Sequence, residues 1–312
     1  MSLVWTVAWF RLSNEAAHRI DVAAAQYRQA GYQIDWKARQ VGGYPFRLDV
    51  TFQGLRLRAP TGWGLDAPRL EAEAYVYALT HWLAAAPQGL TVVRPEDGPV
   101  DVHGKLIHMS FGDPAKHPPS LSIEGSALTF LPGPGARPFA LAAADHLEFH
   151  LRPGPDDQGA VFFKLLGGKA APSGMFGRLA ENEPVSLVFD ALLTKASALK
   201  SARAWSAAGG AMQVRQFALN AGPASLSTAP GTLRLGADGR LEGSLGVTLR
   251  QGPQALGALS QAGAIPPEAA FSAASVLAVH TGPDDVATAT LTFQGGEVAL
   301  GPIPVAPSPR LF

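Results

Sequence analysis

A chain of 312 residues with 47% hydrophobic side chains has material for two ordinary domains or one elongated one, which excludes a disordered protein. Its 25 basic and 25 acidic residues cancel, and no run of lysines or arginines could follow a phosphate backbone, which argues against nucleic acid as a partner. Charged residues make up 16%, against about a quarter in average proteins, as suits a protein that handles apolar material, and the lack of cysteine excludes disulfides, thiolate metal sites and a cysteine-linked lipid anchor.

The first ten residues, MSLVWTVAWF, are apolar and close at Arg11. Such a run reaches about half-way across a bilayer, and no basic segment precedes it as in an intact signal peptide. Leu3 to Phe10 reads as the trailing end of a membrane anchor that starts upstream, with Met1 and Ser2 as its scar; the alternative is an ordinary buried strand or helix start. SNEAAHRIDVAAAQYRQAGY follows as the clearest helix. Ser13 is placed to cap its N-terminus, with Glu15 in the first turn. Ala16, Ile20, Ala23, Ala24 and Tyr27 recur at helical spacing, and Gly31 stops it.

From Gln33 a two-residue period takes over. In VGGYPFRLDVTFQGLRLRAP, residues 41 to 60, Phe46, Leu48, Val50 and Phe52 share one face of a strand, while Arg47, Asp49, Thr51 and Gln53 share the other. After Gly54 the apolar set moves to Leu55 and Leu57, which predicts a bulge that returns the same face to the interior. PRLEAEAYVYAL, 68 to 79, places Leu70, Ala72, Ala74, Val76 and Ala78 together, small enough for close approach. Residues 120 to 130, 146 to 151 and 185 to 193 are further strands. In GTLRLGADGRLEGSLGVTLR, 231 to 250, Asp238-Gly239 sits between alternating runs as a hairpin turn. Helical interludes are expected at Lys195 to Ala208 and Gln254 to Ala262, and a last hairpin around Gly295-Gly296. The expected fold is mainly β with a few helices (α+β): a large curved antiparallel sheet or groove with an N-terminal helix. Domain boundaries are expected at 1–40 for the membrane-proximal segment and helix, 41–155 for a first β lobe and 156–312 for a second, unless the whole is one elongated domain.

Candidate chemistry is sparse. DHLEFH puts His146, Glu148 and His150 on the polar face of a strand, where a solvated face is the simpler reading than a metal site. Asp101, His103, His108 and Asp113 are a weaker group, since positions 103 and 108 point to opposite faces of a regular strand. No G-x-S-x-G, H-E-x-x-H, Walker or dinucleotide pattern occurs. The expectation is no enzyme, no cofactor and no metal. Lys195, Lys200 and Arg203 fall on the interlude that also carries Leu199 and Trp205, either as a solvated helix face or as contacts to an anionic membrane surface or lipid headgroup.

A helix ending in glycine, then VGGYPFRLDVTF, APRLEAEAY and DGRLEGSL, resembles a family of bacterial envelope proteins, domain of unknown function 2125. The likeness covers most of the chain and is most distinctive at Gly43, Pro45, Phe46, Arg47 and the Asp238 to Gly243 segment. It implies an N-terminal membrane segment before the domain. The strand-rich pattern is more loosely similar to AsmA-like envelope proteins, which implies a β-groove for lipid. The functional expectation is a periplasmic lipid-binding or lipid-transfer protein, tethered to the inner membrane. Acyl chains would lie against Phe46, Leu48, Val50, Phe52, Leu70, Val76, Leu233, Leu235, Leu245, Val247 and Leu249. The alternative is a structural or assembly protein of the envelope that meets other envelope proteins.

Overall fold

The computed structural model describes residues 3–171, 177, 179–180, 182–222, 224–261, 263–279, 281–282 and 284–312. Of the residues read above, Met1, Ser2 and Ala262 lie outside them. The structure is 52% strand and 20% helix, and every registered strand pair is antiparallel, as the alternation predicts. It divides into two compact units, one of residues up to Asp113 with Ile123–Phe139, the other of Pro114–Ser122 with Ala140–Phe312. The expected division near 155 is corrected: residues 154 to 157 are the turn of a hairpin inside the second unit, because the strands on either side pair along their whole length.

The first unit opens with helix α1, Leu3–Gln29, 27 residues and roughly 40 Å long at 1.5 Å per residue. It begins ten residues before the expected cap, so Ser13 is a buried residue of the helix interior. Two indoles hold the added turns to the protein: Trp5 Nε1 donates to the Pro45 carbonyl at 3.2 Å and Trp9 Nε1 to that of Arg47 at 2.9 Å. The far end stops as predicted. Gly31, at φ +89°, lets its N–H reach the Arg28 carbonyl and that of Tyr32 reach Tyr27, while the rings of Tyr27 and Tyr32 meet edge to face at 5.4 Å.

Nine strands follow: β1 Gln33–Asp35, β2 Ala38–Gly42, β3 Arg47–Arg58, β4 Gly64–Tyr75, β5 Trp82–Ala85, β6 Leu90–Arg94, β7 Gly98–His103, β8 Leu106–Gly112 and β9 Ser120–Pro132. β3 pairs with β1 and β2 on one side and β4 on the other; β4 continues to β5 and β6, and these to β8 and β7. The bulge expected at Gly54 is corrected. Gln53↔Arg69 and Leu55↔Ala67 keep one register, so Gly54 stands opposite Pro68, and both strands change phase together. A left-handed glycine, φ +59°, facing a residue without an N–H turns the side chains over without an inserted residue. The outcome is the one the pattern demanded: Leu48 and Val50 face the middle of α1, and Leu57 lies with Tyr27 at its end.

The second unit is a meander of β10 Leu141–Pro153, β11 Gln158–Ala170, β12 Val185–Thr194, β13 Ala211–Ala221, β14 Ala224–Thr228, β15 Gly231–Leu235, β16 Leu241–Arg250, β17 Val286–Gln294, β18 Glu297–Leu300 and β19 Ile303–Pro307. Helices are α2 Ala202–Ala207, α3 Gly252–Gln261 and α4 Pro267–Val279. The last was missed, although Pro267 and Glu268 in its first turn are start signals. Gly295 and Gly296, both at positive φ, form the two-residue hairpin loop expected between β17 and β18, whereas Asp238-Gly239 sits inside a longer loop.

Candidate ligand cavity

The cavity of interest lies in the first unit, and its floor is a row across four strands. Val50 of β3 stands beside Ala72 of β4, Ala72 beside Ala84 of β5, and Ala84 beside Met109 of β8. Two methyl side chains between two larger ones make a trough: Phe52 and Leu70, paired across β3 and β4, flank it on one side, and Leu48 with the Trp82–Phe111 pair of β5 and β8 flanks it on the other, with Leu79 also on the wall. The roof is α1, where Leu12, Ala16, Ile20 and Ala23 recur every three or four residues along one stripe. Alanines in the roof stand off from alanines in the floor, and about 560 Å³ is left between them. That is within the roughly 300–1,000 Å³ of small-molecule sites.

Its polarity is confined to the roof's edge. Glu15 and Arg19 are the titratable residues on the cavity wall, and they bond to each other at 2.7 Å on the exposed side of α1. The Arg19 hydrogen bond and charge hold the Glu15 carboxyl below its usual range. α1 is fixed over the trough by a bidentate pair, Arg39 of β2 on Asp21 at 2.7 and 3.0 Å. The Arg28 and Arg39 guanidinium groups also approach the Trp36 ring, each at 5.6 Å.

Of the residues expected to line a groove, Leu48, Val50, Phe52 and Leu70 do line this cavity. Phe46 sits in the turn before β3, 58% exposed, and Val76 follows the end of β4; neither reaches it. Leu233, Leu235, Leu245, Val247 and Leu249 are buried in the second unit, and all but Leu235 belong to a core closed by Leu256 of α3 and by Ala273 and Leu277 of α4. They are core residues where an open groove was expected, because the two helices cover that face; a void of about 190 Å³ persists beside Val247 and Leu249. The helix residues Leu12, Ala16 and Ile20 and the far wall of Trp82, Met109 and Phe111 escaped the sequence reading. A stripe at four-residue steps was visible in α1, but which strand face it covers was not.

The cationic interlude is also corrected. Lys195 precedes a 3-10 turn, Ala196–Ala198, in left-handed backbone at φ +55°, Lys200 is an exposed loop residue, and Arg203 alone enters α2, its guanidinium 5.0 Å from the Phe312 ring. No single helix presents all three. In β10, His150 Nε2 lies 3.3 Å from Glu148 Oε2, and the Lys164 ammonium is 3.3 Å from Oε1. The lysine takes the side of the carboxylate that a cation would need. Burial opposes the Glu148 charge, but the hydrogen bonds from His150 and Lys164 outweigh it and hold the carboxyl below its ordinary value. Asp101 accepts from Thr91 and His108 pairs with Glu124, so the weaker group is dispersed. Among the described residues no cluster of three His, Asp or Glu is arranged for a metal.

An antiparallel β protein with an apolar trough under one long helix is the class that fold and cavity define. The chain belongs to the family described as uncharacterized protein conserved in bacteria (DUF2125), which it matches over residues 9–309. No curated protein and no solved structure matches it, and nothing among these comparisons bears on the likeness to AsmA-like proteins.

Proposed function

We propose that this protein binds the acyl chain of a lipid in the cavity under α1 and carries it in the periplasm without catalysing a reaction. The observation that carries the reading is the cavity itself: about 560 Å³, walled by aliphatic and aromatic side chains, with Glu15 and Arg19, its titratable lining among the described residues, paired to each other at the rim. At roughly 0.8 kcal/mol per buried methylene, a sixteen-carbon chain offers on the order of 10 kcal/mol before ordering costs, enough for retention without a polar anchor. The Glu15–Arg19 pair supplies hydrogen-bonding groups for a headgroup left at the mouth.

Native mass spectrometry and solvent extraction of the purified protein test this. Lipid is expected at about one chain per protein, and Ala72→Phe, which fills the middle of the trough, should release it while leaving Tm unchanged or raised. Protein that stays empty after incubation with lipid, or an Ala72→Phe variant that retains wild-type lipid, would overturn the reading.

A further inference from the structure

A second recess opens in the first unit at the C-terminal end of α1. Its floor is a row of aliphatic side chains, Ile34 of β1, Leu57 of β3 and Leu65 of β4, each paired directly with the next across the strands. Tyr27 and Tyr32, edge to face at 5.4 Å, stand over it with Trp63 and Arg58, around a volume of about 400 Å³. Local backbone geometry fixes the rings. The two tyrosines flank the helix stop at Gly31, and Trp63 closes the turn before β4, where the Ala59 N–H donates to the Trp63 carbonyl at 2.7 Å and the Gly62 N–H to that of Ala59 at 2.9 Å.

Trp63 differs from the other indoles of the chain. Those of Trp5, Trp9, Trp82 and Trp205 donate to backbone carbonyls, and two arginines approach the ring of Trp36; among the described residues Trp63 has neither kind of contact. It is 52% exposed, beside Tyr27 at 54% and Tyr32 at 38%. Large rings held in place with their faces and polar tips open are the anchors that recognition surfaces use. The chemistry of the recess narrows the partner. Asp66 engages Arg58 bidentately and cancels its charge, so an anion finds no free cation there, and a cation would meet the guanidinium. Sugar hydroxyls would lose water over Ile34, Leu57 and Leu65 without a hydrogen bond in return. What remains is an aliphatic floor, aromatic walls and three neutral donors: two phenol hydroxyls and one indole N–H.

We propose that this recess docks a proline-rich segment of a partner protein in the polyproline II conformation. Such a segment is neutral and its pyrrolidine rings are apolar. Its carbonyls make no internal hydrogen bonds and are free to accept from Tyr27, Tyr32 and Trp63, as in other aromatic-lined grooves that take Pro-x-x-Pro sequences. The dimensions agree. Three strands about 4.8 Å apart spread the floor side chains over about 10 Å, and one polyproline II turn of three residues covers about 9 Å. The recess shares no lining residue with the cavity under α1, so the proposal does not rest on the carrier reading. A saccharide stacked on Trp63 is the competing occupant.

The test is fluorescence anisotropy of labelled decaproline titrated with the full chain, beside a Gly-Ser peptide of the same length and, by calorimetry, chitohexaose. Decaproline should bind at least about tenfold more tightly than the Gly-Ser peptide. Trp63→Ala should weaken it about tenfold or more, with Tm and far-ultraviolet circular dichroism at wild-type values because the ring is half exposed. Tyr32→Phe and Trp63→Phe keep the rings and remove one donor each; about threefold weakening is expected from either, which holds the test open if the alanine variant folds poorly. Equal binding of the two peptides, no binding of decaproline, or wild-type affinity in Trp63→Ala overturns the proposal. Chitohexaose binding that is lost in Trp63→Ala, with no binding of decaproline, overturns it in favour of a saccharide.

Discussion

Glu148 shows how a single side chain can be read by its neighbours better than by its motif. The H-x-E-x-H alternation of β10 invites a metal, yet the carboxylate is satisfied by His150 and by Lys164, which the β10–β11 register places directly across the strand pair. Its side chain is 19% exposed, so the partners act with little screening. A carboxyl whose folded-state pKa is depressed contributes stability above its unfolded value, here an ordinary 4.5, and loses it as pH falls through the lower folded value. Glu148→Gln should therefore cost about 1 kcal/mol at neutral pH, and the gap to wild type should close as pH falls below that range. Urea midpoints measured at several pH values check this. A gap that persists unchanged in acid would show that the carboxylate's charge contributes nothing.

At the scale of elements, α1 is decided at both ends by different kinds of information. Its C-terminus was legible because Gly31 adopts a conformation that costs other residues, and the two Schellman hydrogen bonds follow from that local geometry. A Cβ at Gly31 would meet Pro60 at an ordinary 3.4 Å, so Gly31→Ala should cost about 1 kcal/mol through backbone conformation alone; urea denaturation, with circular dichroism to follow the helix, measures it. The N-terminus was misread because Ser13 satisfies a local capping rule, while the turns before it are held by Trp5 and Trp9 on backbone carbonyls about forty residues away in sequence. The Gly54–Pro68 pair is similar. One strand's sequence shows the phase change, but that it happens without an inserted residue depends on which residue stands across from it.

At the scale of the whole molecule, apolar strand faces meet two fates. In the second unit α3 and α4 lie on Leu245, Val247 and Leu249 and close a core, with Leu277 1% exposed. In the first unit, alanines in both α1 and the sheet leave the cavity unfilled. Leu277→Ala should lower stability by about 2–4 kcal/mol, seen by thermal denaturation, yet leave acyl-lipid uptake at room temperature unchanged while the protein remains folded. Loss of uptake at a temperature where that variant is still folded would place the ligand in the second unit instead.

The sequence by itself determined the antiparallel β class, the stop at Gly31, the Gly295-Gly296 hairpin and the alternation that puts Leu48, Val50 and Phe52 on one face, since each follows from backbone conformation or a two-residue period within a short segment. It also carried the family likeness, now matched over residues 9–309. Only the tertiary structure decided which apolar faces are covered. Val50 and Val247 sit in the same kind of alternating strand and look alike in any local pattern. Both are nearly fully buried, one under a helix that leaves a cavity and one under helices that fill most of the space. The difference lies in the side-chain volume brought from elsewhere in the chain, and packing is a property of both surfaces at once.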